Sequence, residues 1–128
     1  MVYVAPPQGA APYEPVAMPE GRRSEAAGAY PVCQNSPLPQ QAEQAKGLFR
    51  AGMQAFNEAR YPEAVARWRE AYRADCTAHA LLLNLARAYE LGGDRRSAAI
   101  ALRAYLEREP NTPQRAQLER RIQVLESR

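Results

Sequence analysis

From Gln41 onward the apolar positions recur at spacings of three and four, the period of an amphipathic helix. A first helix is expected over 41–58, with Leu48, Ala51, Gly52 and Ala55 on one face. Gly52 in a helix interior costs about 1 kcal/mol relative to Ala, so its use there points to close helix contact. Ala59-Arg60-Tyr61 reads as a turn, and Pro62 suits the first position of a second helix that runs to Ala74 and buries Val65, Trp68, Ala71 and Tyr72. Thr77 is the expected N-cap of a third helix ending near Leu91, apolar nearly all round at Leu81, Leu82, Leu83, Leu85, Ala86 and Tyr89 and therefore central. Gly92-Gly93 breaks the pattern, and Asp94 caps a fourth helix that stops before Pro110. Thr112 as cap and Pro113 at the first position start a fifth, with Ala116, Leu118, Ile122 and Leu125 as a buried stripe and Arg115, Glu119, Arg120, Arg121, Glu126 and Arg128 on the other faces.

The first four helices are one pattern written twice. At an offset of 34 residues Leu48 falls on Leu82, Ala51 on Leu85, Gly52 on Ala86, Ala55 on Tyr89, Ala64 on Ala98, Trp68 on Leu102, Tyr72 on Leu106 and Asp75 on Glu109. The two turns, Ala59-Arg60-Tyr61 and Gly93-Asp94-Arg95, are in register as well. This period, with Gly52, Ala64, Trp68 and Ala71 in one copy and Leu82, Leu85, Ala86, Tyr89, Ala98, Leu102 and Pro110 in the other, resembles the tetratricopeptide repeat. Departures fall at Ala55, where the family favours an aromatic, at Cys76, where proline is usual, and at Tyr105, where a small residue is usual. The resemblance implies an all-α, right-handed solenoid of antiparallel helix-turn-helix units. Repeats over 45–78 and 79–112 would be closed by a capping helix over 113–127, the whole forming a domain over 41–128.

The resemblance also implies protein binding without chemistry, in a concave groove lined by the first helix of each repeat. The groove positions are Lys46, Phe49, Arg50, Met53, Phe56 and Asn57 in the first copy, and Ala80, Leu83, Asn84, Arg87, Glu90 and Leu91 in the second. The family's carboxylate-clamp subtype, which grips chaperone tails, is disfavoured. Only Asn84 fits it, because Phe49, Met53, Gln114 and Leu118 hold the other slots. Phe49, Met53 and Phe56, flanked by Arg50 and Arg87, instead suit an apolar peptide or helix. Two readings stay open: an adaptor or scaffold that binds a partner protein, and a self-assembling subunit whose N-terminal segment or last helix packs on a neighbouring copy.

Residues 1–40 have a different composition. Eight of the 11 prolines lie there, no hydrophobic period survives, and an extended or disordered segment is expected. Tyr3, Tyr13 and Tyr30 each sit within three residues of a proline. They read either as incidental residues of a solvated linker or as anchors of a short motif laid across a partner or across the protein's own helices. With 128 residues, 46% hydrophobic and 24% charged, the chain holds one domain of ordinary size, and a net charge of +3 is well short of a nucleic-acid footprint. Glu119 and Glu126 interrupt the arginines of the last helix, so nucleic acid is not an expected partner. No apolar run is long enough for a transmembrane helix, and Met1-Val2-Tyr3-Val4 is too short for a signal peptide. The expected compartment is cytoplasmic if Met1 is the native start, and extracytoplasmic if a leader has been removed.

Little in the chain suggests an enzyme. His79, the single histidine, has no acidic or thiol partner at a motif spacing and reads as a surface or capping residue. Gly92-Gly93-Asp94 is an interhelix turn rather than a phosphate loop, and one histidine with two cysteines makes no metal set, so no cofactor is expected. The cysteines say more. In an antiparallel hairpin the end of the second helix returns to the start of the first, which makes a Cys33–Cys76 bond sterically possible. In a reducing compartment both would stay thiols, with Cys76 a small hydrophobe in the family's proline slot.

Overall fold

A computed structural model describes residues 30–127. Among them are five helices and no strand: α1 (Pro39–Asn57), α2 (Tyr61–Ala74), α3 (Ala80–Leu91), α4 (Arg95–Arg108) and α5 (Arg115–Glu126). Each packs closely on its neighbours in the chain. Trp68, Tyr72, Leu81, Leu82 and Leu85 are the large side chains fully removed from water, and Ala55, Ala64, Ala71, Ala88, Ala98 and Ala101 line the contacts between helices at 0% exposure. Small residues at those points let the backbones approach. A Cβ on Gly52 would collide with Cδ1 and Nε1 of Trp68, so the glycine is there to admit the indole.

The sequence period is also a backbone period. Shifted by 34 residues, α2 coincides with α4 end to end, and the last residue of α1 falls on the last of α3. Both hairpin turns place one residue in the left-handed region, Ala59 at φ 62° and Gly93 at φ 90°. The hydrogen bond from Arg60 N to Ala55 O recurs as Asp94 N to Tyr89 O, each 2.8 Å, and that from Asp75 N to Ala71 O (2.9 Å) recurs as Glu109 N to Tyr105 O (2.8 Å). The ends of the two copies match as well, since Ala78 N to Asp75 O (3.1 Å) is repeated by Thr112 N to Glu109 O (3.2 Å).

Several expected boundaries move. α1 begins at Pro39, where the missing N–H would be unsatisfied anyway, and the Gln41 side chain accepts the Leu38 N–H at 2.8 Å. Pro62 is the second residue of α2 rather than the first. Asp94 does cap α4, accepting from Ser97 N at 3.0 Å. Thr77 and Thr112 are not helix caps. The Asp75 carboxylate takes the Thr77 N–H at 3.0 Å in a local turn, leaving His79 at the start of α3, and Thr112 Oγ1 accepts from Gln114 N at 3.3 Å. In α5, Ile122 and Leu125 are buried and Leu118 is half-buried, but Ala116 lies exposed near the helix start, so the stripe is shorter than its spacing suggested.

The segment before α1 is part of this fold. Tyr30 is 5% exposed and joins the core cluster, and Cys33 is bonded to Cys76 across a Cα separation of 5.4 Å. With 43 residues of separation, such a bond removes about 4 kcal/mol of unfolded-chain entropy. Tyr3, Tyr13 and most of the proline-rich segment lie outside the described residues.

Candidate functional site

The residues expected to line a groove divide into two groups. On α1 they gather around Trp68, whose Nε1 donates to the Phe49 carbonyl at 3.2 Å while its ring lies 5.6 Å from that of Phe56. Phe56 also meets Tyr61 edge to face at 5.4 Å. Phe49, Met53 and Phe56 are half-buried against the core, so the apolar strip is narrower than its sequence suggested. Lys46, Arg50 and Asn57 are exposed, and Lys46 lies 3.5 Å from Glu43.

On α3, Arg87 is exposed, Leu83 is half-buried, and Glu90 is tied to α5, accepting from Arg121 Nε at 3.3 Å. Asn84 departs from the accessible groove position assigned to it. It is 5% exposed, and its Nδ2 has no hydrogen-bond partner among the described residues. α1 and α3 do not form a closely packed pair, and α2 packs on both. Arg50 and Arg87 are the cationic groups of this set with no hydrogen bond or ion pair among the described residues.

A second constellation was not assembled by sequence reasoning. The Tyr30 ring meets Tyr72 edge to face, with centroids 6.1 Å apart and an interplanar angle of 83°. The Arg69 guanidinium lies 5.2 Å from the Tyr30 ring centroid, and its Nη1 donates to both Tyr30 Oη (3.4 Å) and Tyr89 Oη (3.2 Å). From the end of α4, Arg108 Nη2 donates to the carbonyl oxygens of Tyr30 (2.8 Å) and Pro31 (3.3 Å). Burial pushes the Tyr30 phenol well above the usual tyrosine range, and the neighbouring Tyr89 hydroxyl adds to that, with Arg69 opposing. The tyrosine next to a proline was the one sequence signal for this contact. Nothing local to Arg69 or Arg108 marks them, because their partners lie 39 and 78 residues away.

His79, which has no acidic partner at a motif spacing, meets one from 30 residues away. Its Nδ1 is 2.8 Å from Glu109 Oε2, joining the start of α3 to the residue after α4. A cleft of about 520 Å³ between α4 and α5 is lined by Arg103, Leu106, Arg115, Glu119 and Ile122. Its charges are matched in place, Arg103 with Glu126 at 2.8 Å and Arg115 with Glu119 at 3.0 Å. Among the described residues no three of His, Cys, Asp and Glu converge as a metal set, and no helix is long and apolar enough to cross a membrane. No family model matches the chain, and no curated protein or solved structure matches it.

Proposed function

We propose that this chain is a non-catalytic interaction module of the tetratricopeptide type, two repeats and a closing helix, that holds a peptide or helix of a partner protein on the α1 and α3 side. The observation that carries the reading is the coincidence of the two hairpins at a 34-residue offset, down to the left-handed residue in each turn. In this reading Phe49 and Met53 supply apolar contact, and Arg50 and Arg87 engage a carboxylate or backbone carbonyls of the bound segment. Lys46, Asn57 and Leu83 flank that contact, with Asn84 and Glu90 supporting it from beneath.

The arginines give the cleanest test, because both are exposed and their reversal leaves the core intact. Proteins retained by the immobilised wild-type chain should be lost with Arg50→Glu and Arg87→Glu while melting stays unchanged. Arg120→Glu, at an exposed α5 position, is the control and should retain them. Loss with the control alone would move the site to α5. Light scattering at several concentrations tests the self-assembly reading, which requires the mass to rise with concentration.

A further inference from the structure

The Tyr30 contacts have the chemistry of peptide recognition rather than of core packing alone. One arginine lies over an aromatic ring and reaches its hydroxyl, a second binds two successive backbone carbonyls, and a second tyrosine ring packs edge to face against the first. Carbonyl contacts of this kind read the main chain, and Pro31 narrows its choices by locking its own φ and by disfavouring the helical region at Tyr30. Tyr72, the partner in the edge-to-face pair, keeps a buried hydroxyl with no hydrogen-bond partner among the described residues, so Tyr30 leaves a polar group unused.

We propose that Arg69, Tyr72, Tyr89 and Arg108 form a socket for a tyrosine-proline segment, filled here by the chain's own Tyr30-Pro31 and held closed by the Cys33–Cys76 bond, and that reduction opens it to a tyrosine-proline peptide of a partner protein. The bond sits three residues beyond Tyr30, which keeps the internal ligand at a local concentration no free peptide can match. Reduction by a dithiol breaks the S–S bond and leaves thiols on Cys33 and Cys76. The two electrons and two protons come from the dithiol, which becomes a disulfide. The tether then lengthens to the whole irregular segment before α1, and an outside peptide can compete. This site is on α2, α3 and α4 and is independent of the Arg50 and Arg87 reading.

The probe is a capped, fluorophore-labelled peptide Gly-Ala-Tyr-Pro-Val, titrated by fluorescence polarisation into the full chain, oxidised or reduced with dithiothreitol. Reduced protein should bind at least tenfold more tightly than oxidised protein. The same peptide with Ala in place of Tyr, and the reduced Arg108→Gln variant, should each lose at least tenfold. Equal binding in both redox states, equal binding of the two peptides, or no binding to reduced protein overturns the proposal. Should Arg108→Gln unfold the protein, the peptide pair decides alone, since it needs no protein variant. Amide exchange checks the fold in wild type: on reduction α1 to α4 should stay protected, and loss of protection in those helices overturns the proposal.

Discussion

Where α1 meets α2, Gly52 leaves room for the Trp68 indole; one repeat later Ala86 and Leu102 hold the matched positions, both 5% exposed. The two hairpins share their helix ends and turn geometry, yet one is built on a glycine and a large ring and the other on a methyl group and a leucine. The same backbone period therefore accommodates different residues at the matched positions. Trp68 is also fixed at its polar end, by Nε1 to the Phe49 carbonyl, a bond Leu102 cannot make. The first hairpin is the more specified of the two and the less tolerant of change.

The largest way to break this comparison is Trp68→Ala, which should destabilise by about 3–5 kcal/mol in urea unfolding, with Leu102→Ala costing less, about 2–4 kcal/mol. Equal costs would mean that neither the larger ring nor its hydrogen bond adds anything over a leucine at the matched position. Next is Gly52→Ala. The added methyl meets a fully buried ring that cannot swing away, and about 2–3 kcal/mol should be lost, even though alanine is the better helix former. A double-mutant cycle sharpens this: in the Trp68→Ala background Gly52→Ala should be neutral or stabilising, since the clash has gone. Additive losses would show that the glycine serves something other than the ring.

The smallest effect lies in the turns. Ala59 holds at φ 62° a conformation that glycine adopts at φ 90° in the second hairpin, where nothing lies within 4 Å of a would-be Cβ. Ala59→Gly should raise stability by about 0.5–1 kcal/mol and Gly93→Ala should lower it by about 1 kcal/mol, both read as shifts in the unfolding midpoint. Matched changes of the same sign would separate the two turns energetically despite their matching geometry.

What the chain made legible follows from range in sequence. The 34-residue offset, the turn positions, the Asp94 cap and the tight fit at Gly52 all rest on residues near in sequence or on periodicity, and each appears in the described residues. Thr77 and Thr112 misled because a threonine before a helix can close a local turn as readily as cap the helix, and the nearby Asp75 carboxylate decided the first case. Asn84 misled because a position shared with groove residues says nothing about how closely neighbouring side chains cover it. The pairing of His79 with Glu109 and of Arg108 with the Tyr30 carbonyl spans whole hairpins. No window of helix length contains both partners.

The Cys33–Cys76 bond has a mechanical consequence. Its ring encloses α1 and α2, whereas α3, α4 and α5 lie outside it. Tension applied at the two ends of the chain passes straight through the bond, so the 43 residues of separation it spans, roughly 150 Å of contour, cannot be drawn out while the bond holds. The residues outside the ring, the second hairpin and the last helix among them, would carry the whole extension. Under load the protein is then a stretchable strand hung from an inextensible knot, and a reductant alone, with no change in force, would let the knot run.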